Sequence, residues 1–324
     1  MTAAAFGFAE LHGGDSRVRI IPALGGKIAS LHIGGREWLW QGDALSGRNL
    51  ADETEHGGTA SAGGCQDCFP TGAACTVPSG VRRHGGTTLP DHGELWTHRP
   101  TVSLETRSDG QHATCVWPGK RMPYQFTREV HVTRTGDVRV HCLVENVGGD
   151  PLPFVWSAQA RLRLTDATKL DLPIGAAVRV AARTGSALHE MAPEFRWPHA
   201  RLEKKIADFS HPDGVARYYA CQLFLDLPAS PTIAAVEEGA DRLELHIDGR
   251  EVPNFAVGLN KPERRSFRRS ATDPVVSFGP SLGAPDSLAD ALGHWHGAQW
   301  LEPGAHRSWN FLWRARRVTP SAPR

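Results

Sequence analysis

Nine residues, Thr88-Leu89-Pro90-Asp91-His92-Gly93-Glu94-Leu95-Trp96, gather a histidine, two carboxylates and an indole behind a proline and around a glycine. Histidine carries protons near neutral pH, and a neighbouring carboxylate can fix its tautomer and ready it for proton transfer. The proline sets the approach of the chain and the glycine lets it turn, so the polar groups are presented from a loop. Taken alone, the stretch also fits a surface turn with solvated charges.

Other chemistry-bearing residues are weaker. Cys65-Gln66-Asp67-Cys68 has the spacing of a redox pair or half a zinc site. No second close pair follows, so reduced, partly buried thiols are the favoured reading and no metal is expected. His294-Trp295-His296 would share a face on a strand, but Gly293 and Gly297 favour a loop with a packed or solvated pair. A Gly-x-Ser-x-Gly turn and a glycine-rich phosphate loop between strand and helix are both missing from the sequence. No cofactor is expected.

The chain has 324 residues and a formal net charge of +1, from 36 Lys+Arg and 35 Asp+Glu. That balance argues against a nucleic-acid partner, and no charge block marks a membrane surface. The N-terminus lacks the basic and apolar regions of an export signal, and no apolar run approaches the length of a membrane span. A soluble, cytoplasmic protein, monomer or homodimer, is the expectation.

These residues must be held by strands, because helical periodicity is nearly absent. Short alternating runs are punctuated by 34 Gly and 23 Pro, the pattern of an all-β fold built on large sheets. Strands are expected at 17–21, 27–33, 37–40, 127–134, 137–144, 153–159, 170–173, 177–182, 218–225, 233–236, 242–247 and 308–314. Thr135-Gly136 closes a hairpin between two of them. Residues 43–64 read as a long loop, 183–214 as an irregular excursion, and 319–324 as a disordered tail. One short helix is expected over 286–292, with Asp286 as its cap and Gly293 as its stop. With no internal repeat and no linker, a single domain over 1–324 is the economical reading.

Several segments, in this order, resemble aldose 1-epimerases and the wider galactose mutarotase-like superfamily. They are Ile21-Pro22-x-x-Gly25-Gly26-Lys27-Ile28-x-Ser30-Leu31 with Gly35-Arg36-Glu37-Trp38-Leu39, then Asp67-Cys68-Phe69-Pro70-Thr71 and Pro90-Asp91-His92-Gly93-Glu94-Leu95-Trp96. Phe154-Val155-Trp156-Ser157-Ala158 and Leu301-x-Pro303-Gly304 complete the set. The resemblance implies a large antiparallel β-sandwich, a small-molecule sugar as partner, and isomerase chemistry. In that chemistry a base takes the anomeric proton while an acid protonates the ring oxygen, and reclosure gives the other anomer.

Two positions depart from the pattern. The family's acid, a histidine ending the Trp-Ser-Ala strand, is Gln159 here, and its late glutamate, before the run Pro280-Ser281-Leu282-Gly283-Ala284-Pro285-Asp286, is Gly279. Glutamine delivers no proton at neutral pH, and glycine offers only space. The resemblance therefore leaves two expectations. One is a rearranged enzyme with His92 as acid and Glu94 or Asp67 as base. The other is a non-catalytic sugar binder. In either case Asp67, His92, Trp96, Trp156, Gln159 and the space at Gly279 would form the sugar pocket, although packing is the commoner role of a tryptophan. An interaction module without any small-molecule site is the third class, and the clustering of polar, aromatic and glycine residues at 64–78 and 88–96 argues against it.

Overall fold

The computed structural model describes residues 7–41, 63–203, 205–263 and 273–318. Two antiparallel sheets face one another across one continuous apolar core. The larger sheet has 13 strands. Its middle runs Lys27–Ile33, Cys65–Cys68, Trp156–Arg163, Val275–Leu282, Asn254–Lys261, Tyr219–Asp226 and Ala177–Thr184. The second sheet has eight strands, in the order Thr168–Asp171, Pro231–Glu238, Asp241–Asp248, His306–Arg317, Val138–Asn146, Tyr124–Thr133, Gly110–Pro118 and Thr101–Arg107. This is an all-β sandwich, as the alternation predicts.

Side chains alternate across a strand, so each strand divides its residues between the core and one outer face. In Trp156–Arg163, Trp156, Ala158, Ala160 and Leu162 are buried in the core. Ser157, Gln159 and Arg161 consequently stand on the outer face of the large sheet. In Tyr124–Thr133 the core residues are Phe126, Val130 and Val132. Burying each such side chain contributes about 1.5–3 kcal/mol, and the tryptophans 117, 156, 309 and 313 are all fully buried.

The core also holds a charged tie between the sheets. Arg128 Nη1 donates to Asp67 Oδ2 at 2.6 Å, and Trp156 Nε1 donates to Asp67 Oδ1 at 3.0 Å. Arg128 also donates to the Gly26 carbonyl. Burial opposes the Arg128 charge, but the Asp67 carboxylate overcomes this and holds the guanidinium pKa above its ordinary value.

The hairpin around Thr135-Gly136 forms with Val130 opposite Val140. Lys27–Ile33 forms with the expected ends, and the strand expected over 37–40 is reduced to Arg36–Glu37. Most other expected strands are present with shifted ends, and three further differences are instructive. The run 153–159 is divided, Leu152–Phe154 pairing with Gln299–Leu301 and Trp156–Arg163 entering the large sheet. The excursion expected over 183–214 contains three short strands, Glu194–Arg196, His199–Arg201 and Ile206–Asp208, that extend the large sheet at its edge. Each is three residues long, too short to show alternation. The helix is Leu288–Leu292, and its cap is Ser287, whose side chain accepts from Asp290 N, so the assignment of Asp286 as cap is corrected. Most of the expected 43–64 loop and all of the 319–324 tail lie outside the described residues.

Candidate active site

The turn carrying His92 is fastened to the segment that follows strand Cys65–Cys68. His92 N donates to the Gly72 carbonyl at 3.0 Å, and Glu94 N to the Phe69 carbonyl at 2.8 Å. Gly93 lies so close to Phe69 that a Cβ there would come within 2.2 Å of the Phe69 carbonyl oxygen. Only glycine fits, and the chain around it is forced into a tight path. His92 itself has φ +60°, a left-handed conformation costing a non-glycine residue on the order of 1–3 kcal/mol. Such strain is held where the surroundings over-determine it, and functional sites are where it collects.

The histidine's two ring nitrogens are both engaged. Nδ1 is 2.9 Å from Asp91 Oδ2, and Nε2 is 3.3 Å from Arg161 Nη2. A guanidinium only donates, so Nε2 presents its lone pair and Nδ1 carries the proton given to Asp91. That hydrogen bond holds the Asp91 carboxyl below the usual carboxylate range. Arg161 comes from the outer face of the large sheet, where burial depresses its pKa. Trp96 stands beside the same ring with centroids 5.8 Å apart, and its Nε1 donates to the Asp91 carbonyl at 2.6 Å.

The fourth member is Asp286. Its carbonyl accepts from Gly72 N at 2.6 Å and from Ala73 N at 3.1 Å, so Gly72 joins the backbones of His92 and Asp286. A Cβ on Gly72 would lie 2.9 Å from Asp286 Oδ1, and its absence lets the carboxyl settle there. Burial pushes the Asp286 carboxyl up to about 6, with His92 opposing the shift and Asp91 adding to it. A carboxyl that holds its proton to about pH 6 beside a histidine whose Nε2 lone pair is turned toward Arg161 pairs an acid with a base that becomes available when Arg161 gives way.

The sequence candidates divide between the two faces of the sheet. His92 and Trp96 meet, and Gln159 lies two residues from Arg161 on the same outer face, with Nε2 3.4 Å from Ser157 Oγ. Gln66 is the cross-strand partner of Gln159. It is buried, and neither of its amide atoms finds a hydrogen-bond partner among the described residues.

Asp67 and Trp156 are corrected as pocket residues. They face the core, 5 % and 1 % exposed, with their polar atoms bonded to each other and to Arg128. Glu94 is corrected as a base: it is fully buried, its Oε1 accepts from Arg121 N at 2.9 Å, and it lies against Tyr124. Gly279 offers no space, because a Cβ there would come within 1.6 Å of the Ala158 carbonyl oxygen. It permits two strands to approach instead.

Arg161 and Asp286 join the site without a motif of their own in the sequence. Arg161 was signalled by its spacing of two from Gln159 on a strand, and Asp286 by its place at the end of the quoted Pro280–Asp286 run. The thiols of Cys65 and Cys68 belong to successive pleats of opposite sense, and burial pushes Cys65 up to about 12 and Cys68 well above its ordinary value. All six cysteines are free.

Comparison with solved structures decides the architecture. A galactose mutarotase-like protein from Clostridium acetobutylicum matches with TM-score 0.65 over 95 % of this chain and 95 % of its own, at 12 % identity. The chain has the galactose mutarotase-like fold. A proposed aldose 1-epimerase of Escherichia coli K12 shares this mutarotase-like fold with TM-score 0.67 and 15 % identity, over 96 % of this chain and 99 % of its own. A galactose mutarotase-related enzyme of Lactobacillus acidophilus does so with TM-score 0.60 and 14 % identity, over 98 % and 100 %. No protein-family profile and no curated protein sequence matches the chain. Among the described residues no helix is long and apolar enough to cross a membrane.

Proposed function

We propose that this protein binds an aldose or related sugar on the outer face of the large sheet and interconverts its anomers by acid–base ring opening. The observation that carries the reading is the Asp286 carboxyl, raised to about 6 beside His92. Asp286 is the acid, delivering its proton to the ring oxygen. His92 Nε2 is the base for the anomeric hydroxyl, with Asp91 holding the tautomer and stabilising the imidazolium that forms. This assigns His92 the opposite role from the one the sequence suggests, because Arg161 leaves Nε2 without a proton. Gln159, and Gln66, whose amide has no partner among the described residues, meet the sugar's hydroxyls, and Trp96 stands on the side of His92.

A second reading, a sugar binder without catalysis, is favoured by one observation: neither Gln159 nor Gly279 supplies the proton carrier that the resemblance places there. Calorimetric titration with a panel of aldoses separates these readings from an interaction module. Saturable binding that weakens in Gln66→Ala and Trp96→Ala is expected. Heat-silent titrations across the whole panel would remove both sugar readings.

A further inference from the structure

On the opposite sheet, two histidines and an aspartate converge. His112 and His131 are directly opposed on the neighbouring strands Gly110–Pro118 and Tyr124–Thr133. Their rings stack with centroids 3.9 Å apart and planes 12° from parallel. Asp109, in the turn before His112, reaches both: Oδ1 is 3.0 Å from His112 Nε2, and Oδ2 is 3.6 Å from His131 Nε2. One ligand atom from each of the three lies within 4.8 Å of the others. We propose that Asp109, His112 and His131 form a binding site for a divalent transition-metal ion of the zinc type.

The spacing suits such an ion. With metal–nitrogen and metal–oxygen bonds of about 2.0–2.2 Å, tetrahedral ligand atoms stand about 3.3–3.6 Å apart, close to the 3.0 Å and 3.6 Å that separate Asp109 oxygens from the two imidazoles. Two imidazoles and a carboxylate are borderline ligands favoured by zinc, cobalt and nickel. Three protein ligands leave a fourth position for water, and Asp109, with its side chain 58 % exposed, keeps that position open to solvent. The two histidines are buried, and because stacked rings direct their in-plane lone pairs in parallel, one ring turns to face an ion shared with the other.

The surroundings support the same assignment. His112 Nδ1 is 3.1 Å from Glu129 Oε1, the carboxylate–histidine arrangement that orients a metal-binding imidazole. Arg107, with Nη1 3.2 Å from His112 Nδ1 and 3.5 Å from Glu129 Oε2, lies on this far side of the ring. His112 Nδ1 faces both the Arg107 guanidinium and the Glu129 carboxylate, and Nε2 faces an Asp109 oxygen, so a positive centre belongs on the line between Nε2 and Asp109. A proton can stand there, and a metal ion does so while also engaging His131. Gly110 permits the convergence, since a Cβ there would come within 2.9 Å of His131 Nε2.

The test uses tag-free protein, stripped with a chelator, dialysed and titrated calorimetrically with zinc chloride. A parallel titration with cobalt chloride is followed through the visible d–d absorption. One equivalent is expected to bind. Asp109→Asn and His131→Ala are expected to abolish that binding. Glu129→Gln, which removes only the orienting charge, should weaken it by about tenfold or more, and it guards against misfolding of the other two. His141→Ala, on the same face of the sheet, should leave it unchanged. Absence of saturable binding to the wild type would overturn the proposal. So would binding indifferent to Asp109→Asn and Glu129→Gln, which would place the ion elsewhere.

Discussion

Asp286 is the residue on which the site depends, and its behaviour with pH is distinctive. Its folded pKa, about 6, lies above its ordinary 3.8, so the native state holds the proton more tightly than the unfolded chain. The stabilisation this gives is fully present below about pH 4 and is lost as pH rises through about 6. At about 1.4 kcal/mol per unit the limit is about 3 kcal/mol, reduced by solvent because the residue as a whole is only half-buried. Asp286→Asn should therefore gain denaturant resistance relative to wild type at about pH 7.5 and lose that advantage by about pH 4. A difference between the two proteins that is constant across this range would contradict the burial argument. The sequence hid this residue because an aspartate before an amphipathic run reads as a helix cap, whereas Ser287 does the capping. His92 was legible because proline, glycine and carboxylates crowd it, but its partner Arg161 depended on which face of a strand points outward.

At the scale of elements, strand alternation revealed most of the sandwich, including the hairpin over Thr135-Gly136. It did not reveal edge strands of three residues, nor the side of the sheet on which Asp67 and Trp156 lie. The strand Cys65–Cys68 is buried on both faces, so its pattern carries no inside and outside, and a core ion pair looks like a loop site. Two consequences are measurable. Asp67→Ala leaves Arg128 buried without its carboxylate, and unfolding in urea should show a loss of about 3–5 kcal/mol with sugar affinity unchanged. An unaltered midpoint with abolished affinity would return Asp67 to the pocket. Gly279→Ala forces a methyl group against the Ala158 carbonyl, and the strands Trp156–Arg163 and Val275–Leu282 must part. Overpacking of this kind costs about 1–3 kcal/mol or more, so a variant as stable as wild type would refute the close approach. Restoring the family's glutamate at this position is expected to disrupt the sheet rather than to supply a base.

For the whole molecule, one core spans both sheets, and the charged tie between Asp67 and Arg128 crosses it. A single cooperative calorimetric transition is expected, and two separated transitions would show independent units. The fold was legible because turns, alternation and five ordered segments agree, each reflecting local rules that any sandwich must obey. The chemistry was less legible because it depends on where distant strands bring side chains together, which a motif in one segment does not encode. The His92 turn, the sheet face carrying Arg161 and the loop ending at Asp286 make a site only when the sandwich closes. The most direct measurement is anomer exchange of aldoses by NMR, comparing wild type with Asp286→Asn and His92→Ala at about pH 6, where the Asp286 carboxyl is half protonated. Exchange faster than in buffer is predicted for the wild type, falling by about 10²–10⁴-fold in each variant and, in the wild type, declining as pH rises above about 6. Wild-type exchange that persists in both variants would contradict the assignment of Asp286 and His92 as the proton-transfer pair.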